Sequence, residues 1–279
     1  MLGREIKMKS AIMVLKEQVE HFYLIRRLSM YELVSKNKNN YLGIAWEVIN
    51  PLIQVLIYWF VFGSIRQRAE IEVEPGLMSP FINWMLAGFI LWTFFYQSTT
   101  QGSKSIYTRL RMLSRMNFPM SIIPTFVIFS QFYVHIFMLI VTIIIFQISG
   151  FYASIYYLQL IYFLFGTFAL LYAISLITST LSTIIRDLHM LLNATLRMGL
   201  YLSPVLWQMT ILSPSLSTLL KLNPLYYLIE GYRAAFFGTG WYFVEHWQYT
   251  LYFWAFVIVL FIFGAKLHVK FRRHLIDYL

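Results

Sequence analysis

The sequence has no cysteine, and charged residues make up only 12% of its 279 positions. Without cysteine the chain cannot form disulfides or thiolate metal sites. The low charge argues against a soluble domain, in which charged residues usually make up about 25% of the chain. Hydrophobic residues instead account for 59% of the chain, and aromatic residues account for 19%. This composition predicts a polytopic membrane protein.

The sequence also lacks the glycine-rich loop, G-x-x-x-x-G-K-[ST], with which ATPases hold phosphate. No glycine is followed by lysine, and the nearest string, Gly102–Ser105, lacks the required spacing. No paired carboxylates lie at the ends of the apolar segments, although a membrane-embedded enzyme would need such a cluster. We therefore expect this chain to hydrolyse no ATP and to hold no cofactor.

Gradient-driven transport has little support in the sequence, because proton-coupled carriers usually place Asp, Glu or His inside their spans. None of the acidic residues lies deep in an apolar segment, and His135 is the one titratable residue in such a position. A lone histidine there is more often a packing residue than a proton relay. A gradient-driven flippase and a lipid-linked sugar transferase stay as alternatives to a conduit that another protein drives.

The formal net charge of +10 has two explanations. One is nucleic-acid binding. The other is that Lys and Arg gather on cytoplasmic loops and face anionic lipid. Since the composition already indicates a membrane chain, we expect membrane lipid and no nucleic acid as the partner. The first 40 residues are polar and basic, so no removable signal peptide is predicted.

Charged residues divide the chain into segments near the ~20 apolar residues that a membrane span requires. Six spans are predicted, at residues 48–65, 81–100, 120–148, 155–181, 188–212 and 246–265. Six spans put both termini on one side of the membrane. Most Lys and Arg then share that side, so the positive-inside rule predicts cytoplasmic termini. The expected fold class is an all-α polytopic membrane protein.

Residues 12–28 predict an amphipathic helix, because apolar side chains recur there at helical spacing. They are Ile12, Leu15, Val19 and Phe22. Such a helix lies in the membrane surface. A surface helix packed on a soluble partner is an almost equal alternative.

Residues 212–240 predict two short helices. Two pairs place a capping residue before a proline at the first helical position, and these are Ser213-Pro214 and Asn223-Pro224. Neither helix is long enough to cross the membrane. We therefore interpret them as a re-entrant pair that enters from the outside, against protein or a water-filled cavity.

Residues 104–116 form a short basic segment between two long uncharged stretches. In a helix, one face would carry apolar side chains at Ile106, Leu110 and Leu113. Another face would carry cations at Lys104, Arg111 and Arg115. Such a helix fits a groove of a soluble partner and could transmit its motion, whereas composition alone favours a solvated loop. The missing energy source favours the partner, and Tyr107, Arg109 and Arg111 are the side chains to test first.

Several motifs resemble those of ABC-2-type polysaccharide exporter permeases. They are Asn40–Pro51, Arg186-Asp187 followed by Leu202–Val205, and Leu222–Leu225 followed by Glu230–Arg233. Within that superfamily the similarity is greatest to the wall teichoic acid translocation permeases of Gram-positive bacteria. It is concentrated in Trp84–Gly88, in Gln101–Arg109 and in Met116–Pro124.

The resemblance implies a homodimer that pairs with two copies of a separate ABC ATPase, which would bind ATP and Mg. Residues 104–116 would be the coupling helix, residues 12–34 the interface helix and residues 213–236 the outer gate helices. The substrate would be an undecaprenyl-diphosphate-linked wall teichoic acid, exported across the plasma membrane of a Gram-positive bacterium. O-antigen or capsule export is the alternative within the same superfamily.

The resemblance and the residues together suggest site positions. ATPase coupling is expected from Ile106, Tyr107, Arg109, Leu110, Arg111 and Leu113. Aromatic rings suit a smooth polymer conduit, and the candidates are Tyr58, Trp59, Phe62, Tyr201 and Trp207. Arg197 either meets substrate phosphates or extends to the membrane surface. The outer gate candidates are Pro214, Asn223, Pro224, Glu230 and Arg233.

Overall fold

The computed structural model of the chain describes residues 2–65, 70–110 and 118–272. The described α-helices are α1 (Leu2–Glu20), α2 (Phe22–Asn37), α3 (Trp46–Tyr58), α4 (Phe81–Lys104), α5 (Ile122–Ile148), α6 (Gln159–Ile184), α7 (Asp187–Leu202), α8 (Pro214–Lys221), α9 (Pro224–Phe237), α10 (Tyr242–Glu245) and α11 (Trp247–Phe271). Short 3-10 turns are found at Gly43–Ala45, Tyr107–Arg109, Ile155–Leu158 and Met209–Ile211, and a π-helical segment at Trp59–Ile65 follows α3.

The predicted all-α class needs one correction, because the loop between the first two predicted spans folds into a β-hairpin. Strand β1 (Glu70–Glu74) pairs antiparallel with strand β2 (Leu77–Pro80). The sequence Glu-Ile-Glu-Val-Glu of β1 alternates polar and apolar side chains, and its burial follows that alternation. Gly76 takes the left-handed conformation in the turn, with φ of 84°, which a glycine adopts at little cost.

Four helical stretches in the described part of the chain are long and apolar enough to cross a membrane. They are Gly43–Phe62, Ile122–Ile148, Ile155–Ile184 and Trp247–Phe271. Helix α4 is more polar, but its 24 residues extend over about 36 Å, which also exceeds ~30 Å of hydrocarbon. The first four predicted spans and the sixth therefore coincide with helices of spanning length.

The predicted fifth span, residues 188–212, is not a continuous helix. Helix α7 ends at Leu202, and Ser203 has an extended backbone with φ of −90° and ψ of 147°. The physical reason is Pro204, because a residue before proline is pushed out of the helical region. The 16 residues of α7 cover about 24 Å, which is less than the hydrocarbon thickness.

Helices α8 and α9 occupy the segment predicted as residues 213–236. Asn223 caps α9, because its side-chain oxygen accepts a hydrogen bond from the Leu225 amide at 3.1 Å. Gly238, at φ of 68°, ends α9 in the left-handed conformation. The two helices differ in burial: α8 buries no residue, whereas most of α9 lies in the core.

The predicted amphipathic segment is divided at His21 into α1 and α2. Its apolar stripe is largely exposed at Ile12, Leu15, Val19 and Phe22, although the Phe22 ring also meets Phe129 of α5 edge-on at 6.0 Å. A different set of residues packs against α5 and α11, and it includes Val14, Ile25 and Leu33. The outward stripe agrees with a helix that lies on a membrane surface.

The helices pack around two apolar clusters. The larger one surrounds α4, which buries Trp84, Phe89 and Trp92 among α5, α6, α7 and α9. The smaller one consists of Ile25, Ile106, Leu110, Ile122, Ile123, Phe126 and Val127. We call the end of the bundle with the smaller cluster the basic end, and the end with β1 and β2 the hairpin end.

Candidate functional site

Three adjoining cavities form one trough along α3, α4 and α7. The cavity at the basic end has a volume of about 430 Å³ and is lined by Lys36, Asn37, Asn40, Trp46, Glu47, Asn50 and Gln97. The next has a volume of about 340 Å³, and its polar and aromatic lining includes Asn50, Gln54, Tyr58, Tyr96, Gln97, Arg197 and Tyr201. A side pocket of about 50 Å³ reaches Gln131 and His135. Asn50 and Gln97 line all three cavities, which makes the trough continuous.

The trough has polar walls although it lies between apolar helices. Asn50 and Gln54 are exposed on α3, and the Gln54 side-chain amide donates to the Tyr58 hydroxyl at 3.2 Å. Helix α3 buries only Pro51 and Val55. Because uncompensated polar side chains are costly in lipid, these residues indicate that water or protein faces the trough.

Arg197 lies on the wall of the trough, with Tyr58 and Tyr201 lining the same cavity. It lies about 15 Å along α7 from Asp187. Within the described residues its guanidinium forms no ion pair with a carboxylate. The exposed Arg197 side chain therefore borders a cavity, and both of its predicted roles stay predictions.

The predicted aromatic path divides into two groups. Tyr58 and Tyr201 line the trough, whereas the other three candidates do not. Trp59 is exposed, Phe62 contacts the Tyr58 ring edge-on at 6.5 Å, and the Trp207 indole donates to the Tyr201 carbonyl at 2.9 Å.

The sequence analysis missed most of the polar residues of the trough. Asn50 and Gln54 lie four residues apart inside an apolar run, which places them on one helix face. Gln97 and Tyr96 lie on α4 near its basic end. The signal was therefore present as polar residues at helical spacing in apolar segments, which are rare and usually functional in membranes.

Helix α2 connects the turn at residues 107–109 to the wall of the trough. Glu32 of α2 forms an ion pair with Arg109. One turn further on, Lys36 forms an ion pair with Glu47 at the start of α3, with Nζ and Oε1 2.8 Å apart. Asn37 donates to the same Glu47 oxygen at 3.1 Å. The two contacts make α2 a link between residues 107–109 and α3.

The predicted coupling helix covers residues 104–116, and its described part, residues 104–110, is not one continuous helix. Helix α4 ends at Lys104, and Tyr107–Arg109 form a 3-10 turn. Ile106 and Leu110 are buried in the smaller cluster of the chain itself, so they fix the segment to the bundle and offer no face to a partner. Arg111 and Leu113 lie outside the described residues.

Tyr107 and Thr108 are the described residues of this turn that a partner can reach most readily. Tyr107 is partly exposed, and its ring meets His189 edge-on with centroids 6.2 Å apart. Burial raises the pKa of the Tyr107 hydroxyl, and nearby Arg186 opposes that shift. Tyr107 is therefore an uncharged hydroxyl at neutral pH.

Cations are concentrated at the basic end. Lys104 lies beyond the predicted span at 81–100, and partial burial lowers the pKa of its ammonium group. The charges of Lys36 and Arg109 lower it further, and Glu32 opposes them. This clustering is the arrangement that the positive-inside rule associates with a cytoplasmic membrane face.

Arg233 is a buried anchor rather than an exposed gate residue. It is 3% exposed, and its guanidinium lies 3.5 Å from the centroid of the Trp84 ring. It forms an ion pair with Glu230 at 2.7 Å and donates to the Val205 carbonyl at 3.2 Å. These contacts tie α9 to α4 and to the turn after α7.

The other gate candidates lie around this anchor. Pro214 and Pro224 occupy the first positions of α8 and α9. Asn223 also donates from its side-chain amide to the Ser203 hydroxyl at 3.3 Å. This contact holds the α8–α9 connection against the point where α7 ends.

His135 has the environment of a packing residue. It is buried, it stacks on Phe94 with ring centroids 4.6 Å apart, and its Nε2 lies 3.0 Å from the Tyr232 hydroxyl. Among the described residues, no carboxylate pairs with it. These contacts favour the packing role over a proton relay.

The chain is similar in sequence to permeases of polysaccharide export. The O-antigen export system permease protein RfbA of Myxococcus xanthus is 24% identical over 230 residues, which cover 81% of this chain and 85% of the relative. Two proteins of the same name from Klebsiella pneumoniae are 24% and 26% identical, and each match covers 77% of this chain and 80% of the relative.

The family match covers the trough and its surroundings. The model of the ABC-2 type transporter family matches residues 23–237, which extend from α2 to the end of α9. The matched region therefore contains the ion pairs of α2, the trough, and the helices α8 and α9. The chain belongs to the ABC-2 type transporter family.

Proposed function

We propose that this chain is the membrane-spanning subunit of an ATP-driven exporter of a lipid-linked polysaccharide. The trough is the observation that carries the proposal. It offers hydroxyl, amide and aromatic side chains over a long stretch of α3, α4 and α7. Such a lining contacts a repetitive sugar polymer without fixing it in one register.

O-antigen-type polysaccharide is the first candidate substrate. The support comes from three relatives that are each named as an O-antigen export permease and match over most of their length. Export would use an undecaprenyl-diphosphate-linked chain, as the resemblance implies. Wall teichoic acid was the first substrate predicted from the sequence. It becomes the second candidate, because the three relatives are all named for O-antigen export.

One observation keeps an anionic polymer as the second candidate. Arg197 is a cation on the trough wall without a carboxylate partner among the described residues. A cation at this depth suits a passing phosphate, as in a poly(polyol phosphate). The same arginine would also serve the diphosphate of the lipid carrier, so it supports both substrates.

The energy would come from a separate ABC ATPase that binds ATP and Mg. Members of the ABC-2 family are membrane subunits, and this sequence has no phosphate loop. We propose that the ATPase contacts the segment at 104–116, where Tyr107 and Thr108 are accessible. Motion there would reach the trough through Glu32, Lys36 and Glu47.

The proposed orientation places the basic end in the cytoplasm and the hairpin end outside. The support is the cluster of cations at the basic end and the acidic strand β1 at the other end. Six passages are proposed, with α7 as the shortened fifth and both termini inside. The pair α8 and α9 would form the outer gate, and two copies of the chain would close the trough in the plasma membrane.

Reconstitution tests this function directly. The chain and its ATPase would be placed in proteoliposomes with either a neutral lipid-linked O-polysaccharide or a lipid-linked poly(polyol phosphate). We expect ATP-dependent transfer of the neutral polymer. Preferred transfer of the anionic polymer would instead support teichoic acid as the substrate.

Two results would contradict the proposal as a whole. Sugar transfer catalysed by the purified chain alone would identify a membrane enzyme. Transport that follows a proton gradient without ATP, and that is lost in His135→Ala, would identify a gradient-driven flippase.

A further inference from the structure

A second cavity lies on the opposite side of α5 from the trough and has apolar walls. It is a groove of about 390 Å³, within the usual size range of ligand sites. Its walls come from α1, α2, α5, α6 and α11. The lining consists of Leu15, Gln18, Phe22, Ile25, Thr125, Phe129, Phe165, Phe168, Ala169, Tyr172, Val257, Ile258 and Phe261.

The groove runs from the basic end toward the middle of the bundle. We call its end at Leu15 and Gln18 of α1 the mouth. Phe129 lies about 10 Å along α5 from Ile122, and Phe261 lies about 15 Å along α11 from its basic end. Phe165 lies about 28 Å along α6 from Ile184, so the groove extends past the middle of the bundle. It is deep enough for a whole acyl chain, which occupies about half of the ~30 Å hydrocarbon core.

The polar atoms at the mouth are already satisfied within the chain. Thr125 donates to the Gln18 side-chain oxygen at 2.7 Å, and the Gln18 side-chain nitrogen donates to the Ser121 carbonyl at 3.2 Å. Deeper in the groove, Phe129 and Phe168 meet edge-on with centroids 4.7 Å apart. Apart from the buried Tyr172 hydroxyl, an occupant therefore meets rings and aliphatic side chains inside the groove.

The free charge beside the mouth is positive. Each acidic residue of α1 and α2 from Glu17 onward is ion-paired: Glu17 with Arg272, Glu20 with Lys16 and Glu32 with Arg109. Arg26 lies one turn after Phe22, and both Arg26 and Arg27 are exposed without an ion pair in the described chain. An anionic headgroup above the mouth would be attracted to these two arginines.

We propose that this groove binds one acyl chain of an anionic membrane phospholipid from the leaflet at the basic end. The acyl chain lies between the helices α1 and α2 on one side and the helices α5, α6 and α11 on the other. The headgroup lies near Arg26 and Arg27. The bound lipid fills a gap that would otherwise leave aromatic side chains without contacts. The proposal does not depend on the identity of the exported polymer.

Photolabelling tests the proposal on the full-length chain, assembled with its ATPase in nanodiscs. The probe is phosphatidylglycerol with a diazirine in the middle of one acyl chain, and a phosphatidylcholine probe with the same chains serves for comparison. We expect phosphatidylglycerol to label peptides containing Phe129, Phe168 and Phe261 more strongly than peptides with the outward-facing Phe137 and Ile144. We also expect weaker labelling by phosphatidylcholine.

A pair of matched variants tests whether the groove itself holds the acyl chain. Ala169→Phe fills the groove, whereas Ala255→Phe adds the same ring at an exposed position of α11 outside the lining. We expect groove labelling to fall to the level of the outward-facing peptides in the first variant and to stay unchanged in the second. If Ala169→Phe does not fold, the comparison of groove peptides with outward-facing peptides in the unaltered protein still tests the proposal.

Three results would overturn the proposal. They are uniform labelling of all lipid-facing peptides, labelling that Ala169→Phe leaves unchanged, and stronger groove labelling by a diazirine polyprenyl phosphate than by phosphatidylglycerol. Equal labelling by the two phospholipids would remove the role of Arg26 and Arg27. None of these labelling results depends on transport, so the proposed export function is tested separately by reconstitution.

Discussion

Arg197 makes the nature of the exported polymer testable at a single position. Its side chain lines the trough beside Tyr58 and Tyr201. Losing a hydrogen bond to a charged group costs about 1.5–3 kcal/mol, which corresponds to roughly 10–100-fold in affinity. We therefore expect Arg197→Gln to raise the half-saturating concentration of a lipid-linked poly(polyol phosphate) at least about tenfold.

The neutral polymer provides the internal comparison for Arg197. Its transport should change much less in Arg197→Gln if the arginine meets phosphates along the polymer. An equal loss with both polymers would assign Arg197 to the shared lipid diphosphate. Thr195→Val, on an exposed face of the same helix, is the control. Normal transport of both polymers by Arg197→Gln would remove Arg197 from the path.

Arg233 is predicted to act on stability before it acts on transport. Removing one member of a buried ion pair costs about 3–5 kcal/mol, because the remaining group loses its partner. Arg233→Met would also remove the donor to Val205 and the cation above Trp84. We expect a clear fall in the midpoint of thermal unfolding in detergent, and little recovery in Arg233→Lys, which lacks the planar fork.

Lys221→Met is the control for Arg233. Lys221 is a partly exposed cation on α8, and α8 buries no residue. Its loss should leave the unfolding midpoint nearly unchanged. If Arg233→Met unfolds at the same temperature as the unaltered chain and fails only in transport, the anchor role is wrong and Arg233 works as a gate residue.

The two arginines show what sequence reasoning can reach at the residue scale. Arg197 lies inside an apolar run, so its cost in lipid already indicated a cavity or a partner. Arg233 lies within the proline-started short helix α9, and the sequence predicted it as an outer gate residue without indicating its burial. Its burial depends on Trp84 and Val205, which are far away in the chain, and no local pattern encodes such contacts.

At the scale of elements, α2 is predicted to transmit motion between the coupling segment and α3. The Glu32–Arg109 pair is partly exposed, so we assign it about 1 kcal/mol. Arg109→Glu should lower the polymer moved per ATP hydrolysed about fivefold, the factor that matches that energy. The measurement is transport and ATP hydrolysis in the same proteoliposomes.

Charge exchange separates the ion pair from a direct contact with the ATPase. If the link is the pair itself, Glu32→Arg combined with Arg109→Glu should restore most of the coupling. Lys104→Gln is the control, because Lys104 is a nearby cation that forms no ion pair in the described chain. A double variant that stays as uncoupled as Arg109→Glu would mean that Arg109 touches the ATPase directly.

The elements themselves were predictable where a local rule dominates. The capped starts of α8 and α9 follow from Ser-Pro and Asn-Pro, and the apolar stripe of α1 follows from its spacing. The interruption of the fifth span at Ser203-Pro204 was also predictable, because a residue before proline leaves the helical region. The β-hairpin was missed, although the Glu-Ile-Glu-Val-Glu sequence of β1 has the alternation of a half-buried strand.

At the scale of the whole molecule, one chain leaves the trough open. Helix α3 buries only Pro51 and Val55, and α7 buries only Leu196 and Leu200. The exposed flanks of these helices are apolar, while polar residues line the trough between them. A second copy that packs on these flanks would cover the polar lining, which lipid cannot do at low cost.

Cysteine scanning tests this closure, because the chain has no cysteine of its own. Single cysteines at Ile53 or Leu56 of α3, or at Met198 of α7, lie on the flanks, and a cysteine at Val259 of α11 is an equally exposed control. A symmetric pair of chains brings each flank close to a flank of its partner. Oxidation in the membrane should then link two chains through a flank position, since a disulfide needs Cα atoms about 4.4–6.8 Å apart. Cross-linking through Val259 but through none of the flank positions would place the contact between copies on the side of α11, and the trough would then face lipid or a different protein.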